Sequence, residues 1–127
     1  MSHIVTVKSQ IKDAAAVAAA CRRLGLAEPT VETVKLFNAQ VTGLAVRLSG
    51  WRYPVVCDVA SGEVKFDNYG GRWGDQKQLD GFLQAYTVEK AKIEARRRGH
   101  NVSELLQADG SIKLTILVGP RTALSLS

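Results

Sequence analysis

The sequence predicts an α+β fold: a mainly antiparallel sheet, in the order β-α-β-β-β-β-α-β-β, with two helices packed on one face. Three observations predict it. Between residues 31 and 69 apolar residues recur at every second position, whereas residues 13–24 and 75–98 carry them at helical spacing. Strand-like runs outnumber helical ones, and most are joined by short Gly-containing turns.

A chain of 127 residues fits one domain, expected over residues 1–119, with a loosely ordered C-terminal tail at 120–127. The apolar fraction of 46% and charged fraction of 23% predict a packed core, far from the composition of disordered chains.

Residues 3–8 read as a strand because β-branched side chains dominate Ile4-Val5-Thr6-Val7. Asp13 then caps a helix through an Ala-rich run, with Val17, Ala20 and Leu24 on its apolar face, Gly25 as its stop and Pro29 beyond. Residues 33–37 add a strand. In the next strand Thr42, Leu44, Val46 and Leu48 point one way and Gly43, Ala45 and Arg47 the other. Ser49-Gly50 turns the chain, and Tyr53, Val55, Cys57 and Val59 repeat the alternation. Pro54, lacking an amide donor, places that end of the strand at an edge or at the first residue of pairing. Ser61-Gly62 turns again into Val64-Lys65-Phe66-Asp67. Asn68-Tyr69-Gly70-Gly71-Arg72-Trp73-Gly74 has no period and is a loop.

The second helix starts near Asp75 and ends at Gly99, with Leu79, Phe82, Leu83, Tyr86 and Ile93 on one stripe. Gly81 inside it weakens the helix and is expected to let another backbone approach. Residues 102–107 and 112–118 then pair as a hairpin, for which Asp109-Gly110 predicts a two-residue type I′ turn. Ile112, Leu114, Ile116 and Val118 are expected to face the core.

Neither a catalytic nor a metal-binding constellation emerges from the residues. The apolar runs fall short of the roughly 20 residues that cross a bilayer, and Met1-Ser2-His3 opens no signal-peptide pattern, so a cytoplasmic protein without membrane partners is expected. Cys21 and Cys57 lack zinc or redox spacing and read as structural thiols. The two histidines, His3 and His100, stand in no ligand motif, and Asp58, Asp67, Asp75 and Asp80 read as caps and surface charges, although Asp67 and Asp75 flank the same loop. No cofactor is expected. The glycine-rich segment matches neither of the nucleotide-binding glycine patterns, and Asp75 would compete for the same anion site.

The remaining candidates are recognition residues. Tyr69, Arg72 and Trp73 in the loop, and Trp51, Arg52 and Tyr53 at the turn before Pro54, interleave flat rings with guanidinium groups. That chemistry anchors protein partners and also stacks nucleobases. Arg96, Arg97 and Arg98 extend a basic cluster at a helix end, and seventeen basic against twelve acidic residues leave a net charge of +5. The bland alternative is that the tryptophans cover the core.

Both ends carry a resemblance. Met1-Ser2-His3-Ile4 with Lys8, Ile11 and Asp13, then Phe82-Leu83, Ala85-Tyr86, Glu94-Ala95-Arg96-Arg97-Arg98-Gly99 and Ala108-Asp109-Gly110-Ser111-Ile112, resemble in order the family called domain of unknown function 1257, which includes a hypothetical plastid and cyanobacterial reading frame. The chain departs from that family at Ile4, where an aromatic is usual, and through the strands between Trp51 and Phe66. The resemblance implies no biochemical activity, but it implies an accessory role beside ATPases of the AAA type.

The functional expectation is therefore a non-enzymatic accessory or adaptor domain that binds a protein partner, with an AAA-type ATPase as the partner implied by the resemblance. Single-stranded nucleic-acid binding through the basic and aromatic surface is the alternative, and an enzyme of unknown class a further one. Self-association through an unpaired sheet edge is a third mode of partnering.

Overall fold

A computed structural model describes residues 5–7, 9–36 and 39–117 of the chain. The α+β class and the element order agree with the sequence reading: β1 (Val5–Val7), α1 (Ala14–Arg23), β2 (Thr30–Lys35), β3 (Gln40–Val46), β4 (Val55–Asp58), β5 (Glu63–Phe66), α2 (Gln76–Arg97), β6 (Asn101–Leu106) and β7 (Ile112–Leu117), with one 3-10 turn at Tyr69–Gly71. The seven strands divide into two antiparallel sheets, one of five strands ordered β1-β5-β4-β3-β2 and one of two, β6-β7. By contacts the chain forms two compact units, Met1–Tyr86 and Thr87–Ser127. His3, Ile4, Lys8, Phe37, Val118 and the tail at 120–127, all named in the sequence reading, lie outside the described residues.

In the first unit, α1 begins where expected. The Asp13 carboxylate accepts the amides of Ala15 and Ala16 at 2.9 and 3.2 Å, satisfying two donors that a helix start leaves unpaired. The helix ends with Gly25 donating to the Arg22 carbonyl and Leu26 to the Cys21 carbonyl, the paired bonds of a Schellman cap. Its buried face is Ala16, Val17, Ala20 and Cys21. Leu24, expected on that face, is 42% exposed, because the cap turns the chain one residue after the helix ends.

The meander β2 to β5 has the predicted turns, yet its central strands are not half-buried. Leu44, Ala45 and Val46 of β3 and Val55, Val56 and Cys57 of β4 are all buried, so both faces of these strands are covered. Leu44 and Val46 pair with Cys57 and Val55, placing them on one face; Ala14 of α1 lies beside Leu44 and Cys57 there. Ala45 and Val56 pair on the other face, where they form a smaller core with Val34 and Leu36 that Val41 and Tyr53 flank. Pro54 sits just before the first paired residue of β4, the position its missing amide tolerates. Edge strands β1 and β2 bound the sheet.

Asp75 caps α2 by accepting the Lys77 amide at 3.0 Å. Leu79, Phe82 and Tyr86 are buried as the stripe predicts, while Leu83 is half-buried. Gly81 does not admit a backbone: a Cβ built there meets no atom within 4 Å. It instead opens a shallow pocket of about 250 Å³ lined by Leu24, Leu26, Leu48 and Lys77 among others.

In the second unit, α2 closes with the same cap as α1, Gly99 donating to Arg96 and His100 to Ala95. Lys92 lies 2.8 Å from Glu104 of β6 and 3.5 Å from Glu89, tying the helix to the hairpin. Ile112 and Leu114 are half-buried on one face of β7, but Ile116 on that face is 44% exposed. The type I′ turn is not formed. Gln107 donates to Ser111 and Gly110 to Gln107, which leaves a three-residue loop in which only Gly110 has positive φ, at 89°. The Asp109 carboxylate accepts both the amide and the hydroxyl of Ser111, and that pair of bonds favours the longer loop.

Candidate functional site

The turn between β3 and β4 and the loop between β5 and α2 are separated by some twenty residues of sequence, and the fold joins them side by side. The Arg52 amide donates to the Trp73 carbonyl at 2.7 Å. This backbone bond fixes the two segments in register.

Each tryptophan then takes a different role. The Trp51 ring meets Phe66 edge to face at 5.6 Å, and its indole N–H donates to the Asp75 carbonyl at 3.0 Å. A Cβ at Gly74 would lie 2.3 Å from that ring, so glycine is the only residue that lets the loop pass over it. Trp51 is thus a half-buried clamp between loop and sheet, the core-covering alternative weighed from sequence.

Trp73 carries the other role. It stacks on Tyr69 with centroids 4.7 Å apart and planes inclined at 28°, and meets Tyr53 edge to face at 5.6 Å. The Arg52 guanidinium lies over Trp73 at 5.0 Å, and the Arg72 guanidinium over Tyr69 at 5.3 Å. Because the inner face of each ring is filled by the other ring, each cation takes an outer face. The result is a four-layer ladder, Arg52, Trp73, Tyr69, Arg72. Each guanidinium–ring contact contributes roughly 0.5–1 kcal/mol at an exposed site. Arg52 and Arg72 are exposed, and the three rings are half-buried.

The loop holds this shape through buried polar groups. Tyr69 has a φ of 50°, the left-handed region, and its amide donates to the Asp67 carboxylate at 3.2 Å. The Asn68 side chain donates to the Gly74 carbonyl at 3.3 Å, while the Gly71 and Trp73 amides both reach the Asn68 carbonyl. Asp67 and Asn68 are buried, and neither was singled out from sequence as a support of the site. Asp67 and Asp75 do not combine: each carboxylate caps its own backbone turn.

The remaining sequence candidates are placed elsewhere. Arg96 and Arg97 close α2, with Arg98 just after them, all exposed, and Arg97 pairs with Glu94 at 3.1 Å. Cys21 and Cys57 are buried free thiols; burial pushes them up to about 11 and about 12, which keeps them protonated and inert near neutral pH. Among the described residues no group of His, Cys, Asp and Glu is placed to hold a metal ion, and no helix is long and apolar enough to cross a membrane.

Compared with known proteins, the chain matches no family model, no curated protein and no solved structure.

Proposed function

We propose that this chain is a non-enzymatic accessory domain that binds a protein partner through the ladder of Arg52, Trp73, Tyr69 and Arg72, with Tyr53 at its side. The single observation supporting the reading is the convergence of two distant turns into one array of half-buried rings and exposed guanidinium groups. Rigid rings and planar cations supply large contact area with little loss of side-chain freedom, which is why Trp, Tyr and Arg dominate binding hot spots. An AAA-type ATPase is the partner that the family resemblance contributes to the proposal.

Capture of partners from a cytosolic extract by the wild-type chain and by Arg72→Ala plus Trp73→Ala tests the reading. Specific partners retained by wild type and lost by the double variant support it. An identical set on both removes the ladder from consideration.

Single-stranded nucleic acid is the second reading, favoured by the exposed run Arg96, Arg97 and Arg98 and a net charge of +5. Its signature is binding of labelled oligonucleotides that weakens steeply with salt, because phosphate contacts release counterions.

A further inference from the structure

We propose that the ladder recognises carboxylates: Arg52 and Arg72 together bind an acidic segment of the partner protein. This rests on the ladder being the binding surface, and it adds the chemical class of what binds there.

The first observation concerns the rings. Trp73 and Tyr69 have their inner faces against each other and their outer faces under Arg52 and Arg72. A nucleobase needs an open ring face to stack, and the ladder offers none without displacing a guanidinium. The exposed Arg52 and Arg72 each carry a planar fork of N–H donors, the chemistry that takes a carboxylate through two parallel hydrogen bonds.

The second observation concerns charge. Arg22, Arg47, Lys90, Lys92 and Arg97 each pair with a carboxylate of the chain. Arg52 and Arg72 form no ion pair among the described residues, and Asp67, two positions from Tyr69, spends one oxygen on a backbone amide instead. Lys12, Lys35, Lys65, Lys77, Arg96, Arg98 and Lys113 also have no carboxylate at salt-bridge distance among the described residues, but there no ring lies beneath their charged heads, as rings do beneath Arg52 and Arg72. Among the described residues, only at the ladder is an unneutralised cation also held over a ring. Holding it beforehand lowers the ordering that binding would otherwise require.

The test is fluorescence anisotropy of the full chain with three labelled probes: a short Glu-rich peptide, the same peptide with Gln for Glu, and single-stranded oligothymidylate. Saturable binding of the Glu peptide that falls with salt, absence of binding by the Gln peptide, and a loss of about tenfold or more in Arg52→Gln plus Arg72→Gln are expected. Arg96→Gln plus Arg98→Gln, which lowers the net charge equally, should weaken binding less than threefold. Equal weakening by the two double variants would overturn the proposal in favour of diffuse attraction, as would tighter binding of oligothymidylate in favour of nucleic acid. Circular dichroism confirms that each variant is folded. If extract capture depends on Arg72 and Trp73 while the Glu peptide fails to bind, the ladder stands as the surface and the acidic class falls; if capture is independent of them, the surface itself falls.

Discussion

The hydroxyl of Tyr86, 73 positions away in sequence, accepts the amide of Asp13 at 3.1 Å and donates to the Gln10 carbonyl at 3.3 Å. Asp13 in turn caps α1 with its carboxylate. One side chain of α2 therefore fixes the residue that starts α1, so the two helices depend on each other. Tyr86 is buried, and loss of its hydroxyl removes an acceptor shared by the Lys12 and Asp13 amides. Tyr86→Phe should destabilise the chain by about 1–2 kcal/mol, read as a lower urea midpoint at unchanged slope. A midpoint within error of wild type would show that water replaces the hydroxyl at no loss.

Gly81 gives the opposite expectation. It lies inside α2, its φ is negative, and a Cβ there meets nothing within 4 Å. Alanine at this position should raise stability by roughly 0.5–1 kcal/mol, because glycine loses more backbone freedom on folding. The same methyl narrows the pocket beside Leu24 and Lys77. Thermal unfolding of Gly81→Ala checks it, and a lower midpoint would mean that the pocket is filled by something the substitution displaces.

Much of the fold was legible because its determinants are local. Asp13 and Gly25 bracket α1, Asp75 and Gly99 bracket α2, and Ser49-Gly50 and Ser61-Gly62 turn the meander, each through hydrogen bonds or dihedral angles that neighbouring residues decide. Burial on both faces of β3 and β4 was not legible: Ala45 and Val56 read as the outer side of alternating strands, and only packing against Val34 and Leu36 buries them. The hairpin turn failed for a related reason. Asp109-Gly110 suits two loop types, and the bonds from Ser111 to Asp109 favour the three-residue one. At the candidate site the residue types were legible as rings beside cations, but not their division of labour. That Trp51 clamps and Trp73 stacks follows from Gly74 and Asp75, which are not aromatic and gave no recognition signal.

The thiols set an alkaline limit on stability. Burial raises Cys21 from 9.0 to about 11 and Cys57 from 9.0 to about 12, so the folded state holds protons that the unfolded chain releases. Their contribution is fully present below pH 9 and is lost as pH rises from about 9 toward 12. At the acid end, hydrogen bonding to Arg47 lowers Glu32 and to Ser61 lowers Asp58, so these exposed groups lose a small contribution as pH falls through their lowered values. Urea titrations at a series of pH values should show stability falling above pH 9 in wild type and falling less in Cys21→Ala plus Cys57→Ala. Parallel profiles for the two proteins would place the alkaline transition on other groups.

Asp67 supports the ladder from beneath. It is 1% exposed; one oxygen accepts the Tyr69 amide, and the other has no partner among the described residues. Those two oxygens predict different outcomes for two substitutions. Asp67→Ala removes the acceptor that holds Tyr69 at positive φ and should lower stability by about 1–2 kcal/mol, while weakening the near-ultraviolet circular dichroism of the Tyr69–Trp73 stack. Asp67→Asn keeps an acceptor for that amide and replaces the unpaired carboxylate oxygen with a neutral group, whose burial is less unfavourable than that of a charge. It should equal or exceed wild type in stability and retain the aromatic signal. Loss of the signal in the Asn variant would mean that the negative charge itself, rather than the bond to Tyr69, holds the loop, and would make the carboxylate part of the electrostatics that positions Arg72.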